Sequence, residues 1–460
     1  MIKKLLGLVV VAAAVFGLVW FAPHFSLTVG DVPKASSLRV KAQDLTLVCP
    51  GGAYQTGGTN GTSVGDFNSV GSPTVSSTFS GPASTSLISK GDQLTAADPS
   101  GIATQNSMLL NANQVQSVSA GSMVGVTATA CQRPASNLWL IGGDTSTGSE
   151  SLLILKNPTK VDSTVSLELY SSSGKVTGSG LSGISVAAGK STIVPLAGFL
   201  PKTQSFATHV ISRGGLISAW VQQVTIRGLA SGGVDYVSPA APFATTQVIP
   251  GVFIRGSADA GKLEAASPDY ADLVPTLRVF VPGDKSATVT AQILGANAKT
   301  FGTVVRQTVP AGSTADIALP GLADGDYVAV VNSDVAIGAS MRINRVVAKK
   351  VDFAWLSSAA PQSGSVAFTA PSVGIAELGV SNPSNTAITL EVAQANSDSK
   401  FQIAAQGQLT LKFAPGAKVK LTPSARAIYG NLVVDVSGGI GAFGLLDYQN
   451  PGGQVAVMVR

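Results

Sequence analysis

The side chains that could support catalysis are few and far apart. The 460-residue chain has two histidines, His24 and His209, and two cysteines, Cys49 and Cys131. His24 directly follows an apolar segment, which leaves His209 as the candidate general base of its type. When the chain's internal repeats are aligned, His209 falls opposite Val330 and Val434. A position that is apolar elsewhere points to a structural histidine. The G-x-S-x-G elbow that a Ser-His-Asp triad would want is also missing. Asp324-Gly325-Asp326 is the best acidic cluster. Its carboxylates could help hold Ca²⁺, but the further ligands of a recognised calcium loop do not follow. An Asp-Gly hairpin turn accounts for it without a metal. Paired carboxylates for glycoside cleavage would have to come from distant loops. Phosphate loops, dinucleotide fingerprints and metal-cysteine clusters are absent, so no cofactor and no metal are expected.

Trp220 is the candidate binding residue. Ile217, Ala219 and Val221 share one face of its strand, which puts Trp220 with Ser218 and Gln222 on the other. An exposed indole there could stack on a sugar ring or anchor a partner. The competing reading, which we prefer, is a ring covering a joint between domains. Cys49 and Cys131 both follow the apolar segment and match no metal or redox spacing. In an oxidising compartment such a pair forms a disulfide, here stabilising by ~4 kcal/mol through loop entropy.

The segment that would export them is specific. Lys3-Lys4 precedes residues 5–22, 18 residues without a charge, and Pro23 follows. At ~1.5 Å per residue this stretch just crosses a bilayer, and no A-x-A cleavage site follows it directly. The expectation is one uncleaved transmembrane helix. The N-terminus would lie in the cytoplasm and residues 25–460 outside; cleavage and secretion is the alternative. Only 12% of residues are charged and the net charge is +5, with no Lys/Arg run longer than two. That excludes a phosphate-tracking surface, so no nucleic acid is expected.

The elements that position these residues recur. Residues 152–170 read as an apolar strand, an Asn157-Pro158 turn and an alternating strand; residues 277–293 and 378–392 repeat the pattern, with Pro282 and Asn382-Pro383 at the turns. Gly189, Gly312 and Gly416 follow 31, 30 and 33 residues after those prolines, at turns that need positive φ. Ile217-Ser218-Ala219, Ile337-Gly338-Ala339 and Ile440-Gly441-Ala442 come next. Asp235-Tyr236, Asp352-Phe353 and Asp447-Tyr448 then close each unit, the aromatic serving as a plug at the domain end.

About seven short strands per unit predict an all-β chain of tandem immunoglobulin-like or fibronectin-like β-sandwiches behind one N-terminal transmembrane helix. Propeller blades are about half the size of these units. The expected divisions are residues 1–24 (anchor), 25–137 (a divergent β domain with Ser/Gly/Thr-rich loops and the disulfide), and repeats at 138–242, 243–361 and 362–460. The layout of 52–120 stays open between long loops with short strands and partial disorder.

A strand ending in Val48-Cys49-Pro50-Gly51, a second Cys131-x-x-Pro134, and Trp139 with Gly142-Gly143 before Asn157-Pro158 together resemble an actinobacterial family. Its members are secreted or membrane-anchored proteins of unknown function, and the resemblance spans most of 45–460. It implies a gene beside a large membrane glycosyltransferase, hence a cell-envelope role, and it brings no catalytic residues. The expectation is a non-enzymatic, membrane-anchored extracytoplasmic scaffold or accessory subunit for an envelope component. A glycan-binding array of the cell wall is the alternative, and a hydrolase of envelope polymers comes third.

Overall fold

The computed structural model describes residues 35–40, 44–57, 67–81, 86–97, 109–296, 302–395, 397–424, 426–446, 448 and 453–458. The expected anchor at residues 5–22, His24 and Asp447 lie outside them. Among the described residues no helix is long and apolar enough to cross a membrane. Strand makes up 64% of the structure and helix 5%, so the chain is all-β. Ala35–Val40 and Gly453–Met458 pair antiparallel as a two-stranded ribbon, in a unit distinct from the rest. All that follows concerns the larger unit, 43–100 and 106–450.

In the first repeat, Asn137–Ile141, Phe206–Gly214, Ser163–Ser171, Gly174–Val176 and Ile184–Val186 form one sheet. Ser191–Pro195, Ser149–Lys156, Ser218–Arg227 and Ala230–Val237 form the other. The two strands of residues 152–170 therefore lie in opposite sheets, and Asn157-Pro158 is an arch over the sandwich. Pro158 ends the strand by removing a donor, and Asn157 holds the bend. Buried, its amide donates to the carbonyls of Val161 (2.8 Å) and Val186 (3.0 Å), and its Oδ1 accepts from Thr159 N–H (3.0 Å). Asn382 repeats this with Thr386 (2.7 Å), Ala404 (3.0 Å) and Ser384 N–H (3.1 Å). Gly189, Gly312 and Gly416 have φ of 68°, 61° and 73°, the positive values their turns require.

The third repeat is built likewise. Val366–Thr369, Lys418–Pro423, Ile388–Gln394 and Ser397–Ile403 face Gly407–Phe413, Ile375–Asn382, Tyr429–Val436 and Gly439–Gly444. The second departs from seven short strands. Its strand Gly325–Val347 serves both sheets, pairing first with Ala244–Ile254 and Ala287–Gly295, then with Thr276–Val281 and Lys350–Ser357. A helix, Ser257–Ala266, and a 3₁₀ turn, Pro268–Leu273, are inserted before Thr276–Val281. They dock by Ala260 and Leu273 on Val346 and Val351. The N-terminal domain has two three-stranded sheets. One is Leu45–Val48, Gln93–Ala97 and Ser86–Lys90; the other is Thr74–Ser80, Leu109–Ala120 and Met123–Ala130. Cys49 and Cys131 form a disulfide among Leu45, Leu47, Leu94 and Leu110.

The last strand of each domain faces inward. Met123–Ala130 packs on Ala230–Val237, that on Lys350–Ser357, that on Gly439–Gly444, and the fourth returns to the first. Apolar cores run across every seam. Phe353 and Trp355 of the second repeat enter the core of the first, and Val433, Ile440 and Ala442 of the third enter that of the second. Val126, Ala128 and Ala130 enter the core of the third, and Val118 and Met123 join Val224 and Val234 of the first. Each full-size side chain so buried is worth ~1.5–3 kcal/mol. The row of repeats closes into a ring of four domains.

Candidate functional site

The ring's axis gathers residues from all four domains, and it is organised by two carboxylates. Asp352 is buried near the start of the strand Lys350–Ser357. Its Oδ2 accepts from the backbone N–H of Val126 (2.8 Å) and Ile440 (2.9 Å), and its Oδ1 from Val234 N–H (3.2 Å). One side chain of the second repeat thus ties down each of the other three domains. Asp235, in the first repeat, accepts from Ala128 N–H (3.2 Å) and Trp355 N–H (2.9 Å). The sequence permits this approach because Gly125 and Gly233 flank the carboxylate. A Cβ at either would stand 2.5 Å or 2.4 Å from Asp352 Oδ1.

Burial pushes the Asp352 carboxyl up to about 7, against the pull of the surrounding backbone N–H groups, and raises Asp235 as well. Between the ordinary value of ~3.9 and about 7 the folded chain therefore holds a proton that the unfolded chain has released. Stability is fully present below ~4 and is lost as pH rises through about 7, by roughly 4 kcal/mol if Asp352 ionises completely. Lys156, lowered to about 8 by burial, titrates above this window. The urea midpoint should accordingly be higher at pH 5 than at pH 7.5. Equal midpoints would deny the carboxyl its raised value.

The axis opens at both ends. Around Lys349, Lys350, Val124, Ser231 and Ser437 there is a recess of about 520 Å³ with Asp352 at its wall. At the other end a smaller cavity of about 190 Å³ lies beside Trp355 and Phe443.

The residues singled out from the sequence lie elsewhere or hold other posts. Trp220 is fully buried, which corrects its placement on a binding surface. Its face of the strand is roofed by the N-terminal domain: the ring packs with Val48, Ile154 and Tyr236, and Nε1–H donates to Thr129 Oγ1 (3.2 Å). The joint-covering reading is the one observed. His209 stacks on Trp139 at 3.9 Å between centroids. Its ring nitrogens are engaged by Glu168 Oε2 (2.8 Å) and Asn137 Oδ1 (3.0 Å). The Lys175 and His209 hydrogen bonds hold the Glu168 carboxyl below its ordinary range.

Asp324 and Asp326 do not form a hairpin turn. Asp324 accepts from Gly256 N–H (3.1 Å) and Ser257 N–H (2.8 Å), complementing the start of the inserted helix, while Asp326 pairs with Arg255 (2.5 Å). No group of three or more His, Cys, Asp or Glu able to hold a metal occurs among the described residues. The Asp-aromatic motif also differs from a plug within its own sandwich. Tyr236 packs toward Val48 and Tyr54, Phe353 enters the first repeat, and Tyr448 lies against the N-terminal core. Sequence reasoning passed over the carboxylates of this motif. The signal was there, since an Asp inside an apolar strand must find several donors when buried.

None of the curated proteins matches the chain. Among solved structures, one similar chain is a Ca²⁺-stabilised adhesin that helps an Antarctic bacterium reach out and bind ice. The identity is 11%, over 85% of this chain and 92% of that one, and the TM-score of 0.12 is too low to carry an argument. The model of a family of unknown function, DUF5719, matches residues 92–424, well over half of the sequence. The chain belongs to that family.

Proposed function

We propose that this protein is a non-enzymatic scaffold or accessory subunit of the bacterial cell envelope. Residues 5–22 would hold it to the cytoplasmic membrane, with the β domains on the outer side. The observation that carries the reading is the axial network. It ties all four domains of one compact unit to a single buried carboxylate, the kind of linkage a platform for another component needs. The buried disulfide supports an exported location. The partner is a membrane protein of the envelope, for which the family resemblance points to a glycosyltransferase. With Trp220 buried, the glycan-binding alternative has lost the residue that motivated it.

Purification of the full chain in mild detergent should bring down one defined membrane protein. The chain itself should sediment with membranes, resist carbonate washing and begin at or next to Met1. Repeated recovery of the protein alone would sink the scaffold reading. A soluble form starting between residues 25 and 37 would replace the anchor with a cleaved signal.

A further inference from the structure

The cavity of about 190 Å³ at one end of the axis has the features of a built binding site. All four domains contribute walls, among them Leu138, Trp355, Phe443 and Leu446. Trp355 donates its Nε1–H to Gln223 Oε1 (2.8 Å), so the indole has only apolar surface left to offer the cavity. The polar part of its lining is Arg133, Ser238, Ser357, Tyr448 and two deeply buried side chains, Gln132 at 3% exposure and Ser358 at 4%. Neither Nε2 nor Oε1 of Gln132, nor Oγ of Ser358, has a partner among the described residues. The main chain of Gln132 is fixed by two hydrogen bonds with Val48, N–H to carbonyl at 2.8 and 2.7 Å, next to the disulfide at Cys131. The amide is thus held in place, buried, and unspent.

We propose that this cavity binds the N-acyl group of a small ligand, with the Gln132 amide pairing with the ligand's amide. The chemistry follows from the lining. A primary amide presents a donor and an acceptor side by side, the complement of the C=O and N–H of a secondary amide. The apolar walls take the acyl methyl, and Ser358 supplies one more hydroxyl. An apolar cavity of about 150 Å³ holds benzene, so the space suits an acetamido group and part of the ring or residue that carries it. Walls from four domains enclose the site, which favours a terminal group over a polymer threading through. Two sources offer such a group, an N-acetylated sugar and an N-acetylated peptide terminus. The proposal goes beyond the scaffold reading and does not depend on it.

The test uses the purified full chain and saturation-transfer NMR. The probes are N-acetylglucosamine and N-acetylalanine dimethylamide, with glucosamine and alanine dimethylamide, which have no secondary amide, as their deacetylated counterparts. At least one acetylated probe should bind through its methyl group, and its counterpart should not. Sugar alone, peptide alone or both would name the source as a glycan, an acylated peptide or the acetamido group by itself. Gln132→Leu keeps the volume and removes the amide. It should weaken binding by about tenfold or more while leaving the melting temperature unchanged or higher, because no hydrogen bond within the fold is lost. Three results would overturn the proposal: no acetylated probe binding, equal binding by the deacetylated probes, or unchanged affinity in Gln132→Leu. A fall of several degrees in that variant's melting temperature would also overturn it, by showing that the amide already has a partner in the protein.

Discussion

Asp352→Ala should lower the melting temperature by on the order of 10 °C. The substitution orphans three buried backbone donors at once, those of Val126, Val234 and Ile440. Each orphaned donor costs roughly 1–3 kcal/mol, and a domain of 150–250 residues loses ~2–4 °C per kcal/mol. The loss should be cooperative, because the three donors belong to three domains. Asp352→Asn should destabilise as well, since its amide turns an N–H₂ toward one of the donors that the carboxylate served. Differential scanning calorimetry on both variants checks this. A melting curve for Asp352→Ala that overlays the wild type would remove the carboxylate from its central position.

The second large effect concerns the disulfide. Cys49 and Cys131 are separated by 82 residues in sequence, and opening a loop of that length costs about 4–5 kcal/mol by chain entropy. The double substitution to serine also leaves two hydroxyls among Leu45, Leu47, Leu94 and Leu110. Cys131 directly follows the axial strand Met123–Ala130, so loosening it loosens the ring. Reductant, or the double serine variant, should bring early proteolytic cleavage within the N-terminal domain and a lower urea midpoint. A digestion pattern indifferent to reductant would contradict this.

Local features were legible wherever one residue type answers one local demand. Asn157-Pro158 and Gly189 announced an arch and a positive-φ turn because few other residues can serve there. Alternation along 217–221 correctly set Trp220 opposite Ile217, Ala219 and Val221. What covers a face is another matter. Whether Trp220 meets water or a second domain depends on partners such as Val48, some 170 positions away, and no period in the sequence encodes that. Closure of the ring was illegible for the same reason. Met123–Ala130 reads as an ordinary strand until Val126, Ala128 and Ala130 are found in the core of the third repeat. The cavity beside Gln132 draws on all four domains, and a lone Gln after a Cys carries no chemical signature by itself.

The circular seating of the four axial strands has a consequence for how the molecule comes into being. A chain threaded outward from its N-terminus presents Met123–Ala130 long before Gly439–Gly444, the neighbour that completes its packing, has emerged. Until then Ala128 and Ala130 lack the third repeat, and the second repeat lacks Ile440 and Ala442. Such distant pairings are slow to form and leave apolar surface uncovered meanwhile. The nascent protein therefore passes through a long adolescence in which its earliest part waits for its latest, and a chain cut short near its end forfeits its beginning as well.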